Sequence, residues 1–547
     1  MQNHNCNLNV ITRRSFLDRS FKTSMAVALG TLMDIPLVVK RALAEGNIGL
    51  NGKKVLFIWL RGANDGLNSI VPIQDSAYAT SRPTLRIPAD PGTNYSMSNV
   101  PADFAPSLGG STYGSYPYGV RLGNGFAALH PSLKFLAPVY NAGDLAVIHR
   151  VGYPRQSRSH FDSQRYWENG LPSNNVSNEG IFYRTIYESG LANTAPLTGV
   201  TVGSSLPLIM RGSEAAMTNL TDPLRYDLLG IPNSTSGNLK ASLALNQANT
   251  YPFPGKLNRD LLQLQYQNLT GTLDIFASLN STFQEAGNTF RDDTVTDGDA
   301  TWAAANGGDG YYLFPTTGDK NGGWRRTPGG ATDFNKYAVP TGLHSFFERL
   351  KAAAVILNKT DAIISGVQMD GFDTHQGQGT LTGPHPDLNR GIGWSMYALQ
   401  KYFTRYADKA TWENVVVVTL SEFGRTTVEN SDQGTDHAEA SMMLVAGGAV
   451  QGFNQLASRS GVFNCVTTGA VPWVEGNAGS MFGVSGRYLR RASDYRQILG
   501  EVIRDHLGAT QGQLNRIIPG YANAAENLLG GGASTDGTTI RAELGLI

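Results

Sequence analysis

Four short runs of nearly unbroken apolar residues punctuate the chain, at 55–60, 145–148, 362–367 and 415–420. Runs of this kind, without polar alternation, are buried on both faces, the pattern of central parallel strands. Between the third and fourth, Leu388, Ile392, Met396, Leu399, Phe403 and Tyr406 recur at spacings of four and three, which predicts a helix over about 386–406. Further helices are expected over about 342–357, feeding the third strand, and over 257–283. Strand, helix and strand in that order form a βαβ unit, right-handed by rule. The fold class that follows is α/β with a mostly parallel sheet.

Two stretches interrupt this pattern. Residues 95–125 are rich in Gly, Ser, Tyr and Pro, and 287–333 in Gly, Asp, Asn and Thr, so both read as long surface excursions. The organisation expected is a leader over 1–44, a first part of the α/β core over 45–214, a helical and Gly/Asn/Asp-rich insertion over 215–340, and the second part of the core with a tail over 341–547. In the tail, 494–508 is expected to be helical and 529–538 frayed.

The N-terminus changes the charge picture. Thr12-Arg13-Arg14-Ser15-Phe16-Leu17 is a twin-arginine pattern, the stretch 25–39 is largely apolar, and Ala42-Leu43-Ala44 supplies a cleavage site of the A-x-A kind. The whole chain balances 44 Lys+Arg against 44 Asp+Glu. Removing the six basic and two acidic residues of 1–44 leaves 38 against 42, a net of −4. Such a chain has no electrostatic footprint for nucleic acid. No stretch after the leader approaches the ~18 apolar residues of a membrane span. The expected partner is the twin-arginine export machinery, and the expected location is periplasmic or extracellular. Cys6 leaves with the leader and Cys465 stays alone, so no intramolecular disulfide is expected in the exported chain. Export of a folded protein suits one that loads a cofactor in the cytoplasm. Charged residues are only 16% of the chain, against about 25% in an average domain, and Gly numbers 63 of 547, which fits a core carrying long loops.

In a parallel sheet, ligands bind beyond the carboxyl ends of the strands. After the first run comes Arg61-Gly62-Ala63-Asn64-Asp65-Gly66; beyond the second, Ser157-Arg158-Ser159-His160-Phe161-Asp162. The third leads into Asp370-Gly371-Phe372-Asp373-Thr374-His375 and the fourth into Ser421-Glu422-Phe423-Gly424-Arg425, with Thr435-Asp436-His437 soon after. Carboxylate, imidazole and hydroxyl together are ligands for Zn, Mn, Mg or Ca rather than a thiolate site. Each group also has a plain structural reading. Asp65 suits a turn, Asp373 to His375 a helix cap with a surface histidine, and Glu422 an ion pair with Arg425. Of the eight histidines after the leader, His160, His375 and His437 lie in these groups. His506 reads as structural, and His130 and His149, the latter ending the second strand, as core or supporting residues.

Together with Leu129-His130-Pro131-Ser132-Leu133, these motifs resemble the twin-arginine-exported family catalogued as domain of unknown function 1501, over nearly the whole chain. That family is related to the alkaline phosphatase and sulfatase superfamily, which implies a doubly wound sheet with helices on both faces and a metal-assisted hydrolase or phosphotransferase acting on a phosphate or sulfate ester. The resemblance carries Asp65 to the first-strand metal ligand, Glu422 to the late Asp-His-Gly turn, and Asp373, His375 and His437 to a second metal. Ser159 is the candidate nucleophile, beside His160, with Arg158 or Arg425 clamping the anion's oxygens. Metal-activated water is the alternative nucleophile. Two departures stand out. Phe423 occupies a place where histidine is expected, and Asp373-x-His375 is closer spaced than the usual pair. The first favours an alternative reading, a secreted metal-stabilised binding protein without turnover. No Cys or Ser lies in a C/S-x-P-x-R arrangement, which argues against a formylglycine sulfatase. The implied substrate is a small-molecule or glycan ester.

Overall fold

The computed structural model describes residues 48–49, 51–89, 118–191, 197–213, 217–223, 247, 257–284, 290–292, 311–316, 339–473, 487–522 and 526–547. The leader 1–44 and most of 95–125, 215–256 and 287–333 lie outside the described residues. The principal sheet has nine strands: β1 Lys54–Leu60, β2 Leu145–Gly152, β3 Gly199–Val202, β4 Thr218–Leu220, β5 Ile364–Met369, β6 Val415–Leu420, β7 Ser441–Ala446, β8 Val462–Phe463 and β9 Ser493–Asp494. Their order is β8-β2-β7-β6-β1-β5-β3-β4, with β9 also pairing with β2. All four apolar runs became strands. The third starts at Ile364 rather than 362, and the second continues to Gly152, so His149 sits inside it rather than at its end.

Every residue of β1 is buried, the apolar run 55–60 by its sequence and Lys54 with its ammonium donating to the Thr360 and Ala362 carbonyls. Leu56, Ile58 and Leu60 face one core, and Val55, Phe57 and Trp59 face the other. The first core is closed by α4 His344–Lys359 and α5 Pro384–Arg405, through side chains such as Phe347, Leu350, Trp394 and Leu399. The opposite core takes Trp167 of α1 His160–Asn169, Phe182 of α2 Ile181–Glu188, Ile498 of α6 Tyr495–Glu501 and Leu514 of α7 Gln511–Ile517. Helices therefore cover both faces of a mostly parallel sheet, the α/β arrangement expected. The long helix α3 Leu257–Phe283 has the bounds the sequence predicts. At Gly366 a Cβ would fall 2.0 Å from Phe57 Cζ, so only glycine lets that ring cross β5.

Helix α5 joins β5 to β6, but these strands are not neighbours. Both pair with β1, in register Val55 with Ile364 and Val416, so the crossover passes over the central strand. Strand β7 alone is antiparallel, to both β6 and β2. It therefore begins at the edge where the parallel strands end, and Thr435-Asp436-His437, just before it, return to that edge. An isolated bridge between Arg425 and His437 fixes this return. In the tail, Asp494 caps α6 and the helix finishes as a π turn, Val502–His506. The segment expected to fray instead pairs Gly532–Ala533 with Thr539–Ile540. Within the described part of 287–333, Arg291–Asp292 pairs with Tyr311–Tyr312.

Candidate metal centre

Three imidazoles from three separate segments of the chain converge on one carboxylate oxygen. Asp373 Oδ1 lies 3.1 Å from His375 Nε2, 3.2 Å from His437 Nε2 and 3.5 Å from His160 Nε2. His437 Nε2 is in turn 3.0 Å from both His160 Nε2 and His375 Nε2. Among the described residues, His160, Asp373 and His437 form the group able to hold an ion, their donor atoms all within 4.8 Å of one another. Helix α1 supplies His160 as its first residue, the loop after β5 supplies Asp373 and His375, and the lead into β7 supplies His437.

Each ring is held from behind through its other nitrogen. His160 Nδ1 is 2.8 Å from Glu422 Oε1, His437 Nδ1 2.9 Å from the Arg158 carbonyl, and His375 Nδ1 3.4 Å from Asp436 Oδ1. An acceptor at Nδ1 puts the proton there in a neutral ring and leaves the Nε2 lone pair facing inward. Oxygen partners behind each imidazole are the usual supporting contacts of metal-bound histidines. Glu422 is itself fixed, Oε1 accepting from Gly62 N at 2.9 Å and Gln164 Nε2 at 3.2 Å, and Oε2 from Trp59 Nε1 at 3.3 Å. Gly62 has φ +108°, and a Cβ there would fall 2.5 Å from Asp373 N, so glycine lets these loops touch.

The charges around the cluster differ from group to group. Burial would raise the Asp373 carboxyl, but Arg425 and the neighbouring imidazoles hold it down to about 2. The hydrogen bond to Glu422 raises His160 against its partial burial, so positive charge is favoured at that ring. Burial, then Arg425 and His160, lower His437 and keep it an unprotonated donor. Lone pairs on nitrogens 3.0 Å apart repel unless protons or a cation lie between them, and the donor set fits a divalent ion.

Other predicted site residues are placed differently. Asp65 is fully buried away from the imidazoles. Arg82 Nη1 and Nη2 donate to it at 2.6 and 3.0 Å, and Gln378 Nε2 at 2.6 Å, so both oxygens are engaged and it is not brought to the cluster. Arg425 is no anion clamp. Its buried guanidinium donates to the carbonyls of Ala63, Thr435, Gly62 and Phe372 and to Asp373, and Nη1 lies 3.4 Å from His375 Nε2, tying three strand-end loops together. Glu422 stands behind His160 rather than beside Arg425. Ser159 caps α1, accepting from Asp162 N at 3.4 Å, and Arg158 lays its guanidinium 4.5 Å from the Tyr488 ring. His506 is buried with Nε2 3.0 Å from the Lys54 carbonyl, as a structural histidine should be.

Residues 331–456 match the family model described as "Protein of unknown function (DUF1501)". The DUF1501 match contains Asp373, His375, Glu422, Arg425 and His437, while His160 lies outside it. No curated protein and no solved structure matches the chain. No helix among the described residues is long and apolar enough to cross a membrane.

Sequence reasoning missed Asp436 as a support, although it adjoins His437, and misjudged Phe423. That ring is fully buried, its centroid 4.7 Å from that of His160 and 5.0 Å from that of His437. It is an apolar wedge that sets the planes of two imidazoles.

Proposed function

We propose that this protein is an exported metal-dependent hydrolase or phosphotransferase acting on a phosphate or sulfate ester, with His160, His437 and Asp373 as the ion's donors and His375 beside them. The observation that carries the reading is the convergence of three Nε2 atoms on Asp373 Oδ1, with every Nδ1 tied to oxygen. Two imidazole nitrogens and one carboxylate oxygen favour Zn over Mg or Ca, which take oxygen ligands. When bound, a divalent cation supplies Lewis acidity that lowers the pKa of water and polarises an ester oxygen. The chain supplies the rest. Glu422, Asp436 and the Arg158 carbonyl hold the rings, Phe423 packs behind them, and Arg425 holds the three loops at fixed separation.

The site is open on one side, with the side chains of Asp373 and His375 47% and 40% exposed, so an ester can reach it. An ion held only for stability is usually enclosed. The attacking oxygen is assigned to water, because the Ser159 hydroxyl serves the helix cap. Phe423, the feature that favoured a binding protein without turnover, is accounted for as a packing residue. Ligands at the carboxyl edge of a mostly parallel sheet are consistent with the alkaline phosphatase and sulfatase relationship, which belongs to this proposal, as does twin-arginine export.

Elemental analysis of protein purified through its native export route, followed by assay on aryl phosphates and aryl sulfates, tests the reading. A bound transition metal and turnover lost in H437A are expected. Protein that takes up no divalent metal would overturn it.

A further inference from the structure

A buried polar chain touches no proposed ligand side chain, yet joins the two loops that deliver Asp373 and His437. Building on the metal reading, we propose that Gln378 is a positioning residue that locks the ligand loops 373–375 and 435–437 into one register, with Asp65 and Arg82 fixing the orientation of its amide.

Gln378 is fully buried in the turn that leads into α5. Its Oε1 accepts from Thr374 Oγ1 at 3.0 Å and from Thr435 Oγ1 at 2.7 Å. Thr374 stands between Asp373 and His375, and Thr435 stands two residues before His437. The same amide donates through Nε2 to Asp65 Oδ2 at 2.6 Å. Which way an amide points is decided by its partners. A carboxylate paired with arginine accepts only, so Nε2 must face Asp65 and Oε1 is left for the two hydroxyls. Arg82 completes the anchor, donating from Nε to the Thr427 carbonyl at 3.1 Å and from Nη2 to the Thr426 carbonyl at 2.7 Å, in the segment that leads to Thr435. Backbone contacts run parallel to the chain: Thr435 N donates to the Thr374 carbonyl at 3.2 Å, and Gln378 N to the Gln433 carbonyl at 2.9 Å.

A leucine of similar volume would fill this space without the desolvation that three buried polar side chains demand. What the polar set adds is register. If either loop slides, Asp373 Oδ1 and His437 Nε2 lose their 3.2 Å separation and cease to share a centre. Asp65, placed at the superfamily's first-strand ligand position, acts here through Gln378 and the two threonines.

The test is metal affinity and coordination in full-length protein stripped of metal. Zn2+ affinity is read by competition with a chromogenic chelator, and geometry by the visible absorption of the Co2+ form. Q378E still accepts from both hydroxyls but sets a carboxylate against Asp65; Zn2+ affinity should fall about tenfold, the low end for residues that orient ligands, with an altered Co2+ spectrum. Should Q378E not fold by circular dichroism, T435V, which removes one hydroxyl donor, carries the same expectation, with T435S as its rescue. Folded variants with wild-type affinity and spectrum, or a T435S variant that loses as much as T435V, overturn the inference. Wild-type protein that takes up neither ion overturns it together with the metal reading, and is told apart from those outcomes by the wild-type titration alone.

Discussion

His160 Nδ1 lies 2.8 Å from Glu422 Oε1, and this contact decides which ring nitrogen of His160 faces the other histidines. A buried carboxylate at Nδ1 also makes the imidazole a better donor, because its negative charge supports whatever positive charge gathers at the ring. Glu422→Gln keeps the shape and loses the charge. Its metal affinity should fall about 10–100-fold, measured by chelator competition. Unchanged affinity would mean that Glu422 supports the fold and not the ion.

Ser159 accepts the Asp162 amide at the start of α1, so Ser159→Ala should behave as the loss of a helix cap. The variant should lose about 1 kcal/mol in urea denaturation and retain its turnover per bound ion. A variant that keeps its ion but has no activity would restore Ser159 as the nucleophile.

Phe423 fills buried space against the rings of His160 and His437. Phe423→Ala opens a cavity and should destabilise the fold by about 3–5 kcal/mol, whereas Phe423→Leu should lose less than about 2. The measurement is a denaturant midpoint with and without added metal. If alanine is tolerated within about 0.5 kcal/mol, the wedge assigned to this ring is not one.

The sheet was legible because double-sided burial writes itself as unbroken apolar runs, and β1 and β6 were found to within a residue. The imidazole set was legible for a related reason. Strand ends converge in a parallel sheet, so polar residues after each run are candidates for one site, and His160, His375, His437 and Asp373 met there. The division of labour was not legible. Whether Asp65 or Glu422 faces an ion or a supporting partner depends on loop separations set by tertiary packing, and Arg82 and Gln378 claim Asp65 from distant positions that no local motif links to it. The antiparallel course of β7, which brings His437 back to the site, likewise leaves no mark in the apolar pattern of 441–446.

Far from this site, Glu501 holds the end of the chain, accepting from the backbone amides of Leu544 and, at 2.7 Å, Leu546. Burial pushes its carboxyl from an ordinary value of 4.5 up to about 7, with the negative charges of Glu543 and Asp505 adding to the rise and the two amides opposing it. The folded protein therefore binds more protons than the unfolded chain between about pH 4.5 and 7. Its contribution to stability is fully present below that window and is lost as pH rises through it, by about 3 kcal/mol in all. Glu501→Gln cannot titrate, though it gives up one of the two amide contacts. Other groups also respond to pH, so the informative quantity is the stability difference between variant and wild type in urea denaturation. That difference should move in the variant's favour by about 2–3 kcal/mol from pH 5 to pH 8, whatever its starting value. A difference that stays flat across this range would mean that Glu501 is already ionised in the acid half of the window, held there by the Leu544 and Leu546 amides more strongly than burial opposes.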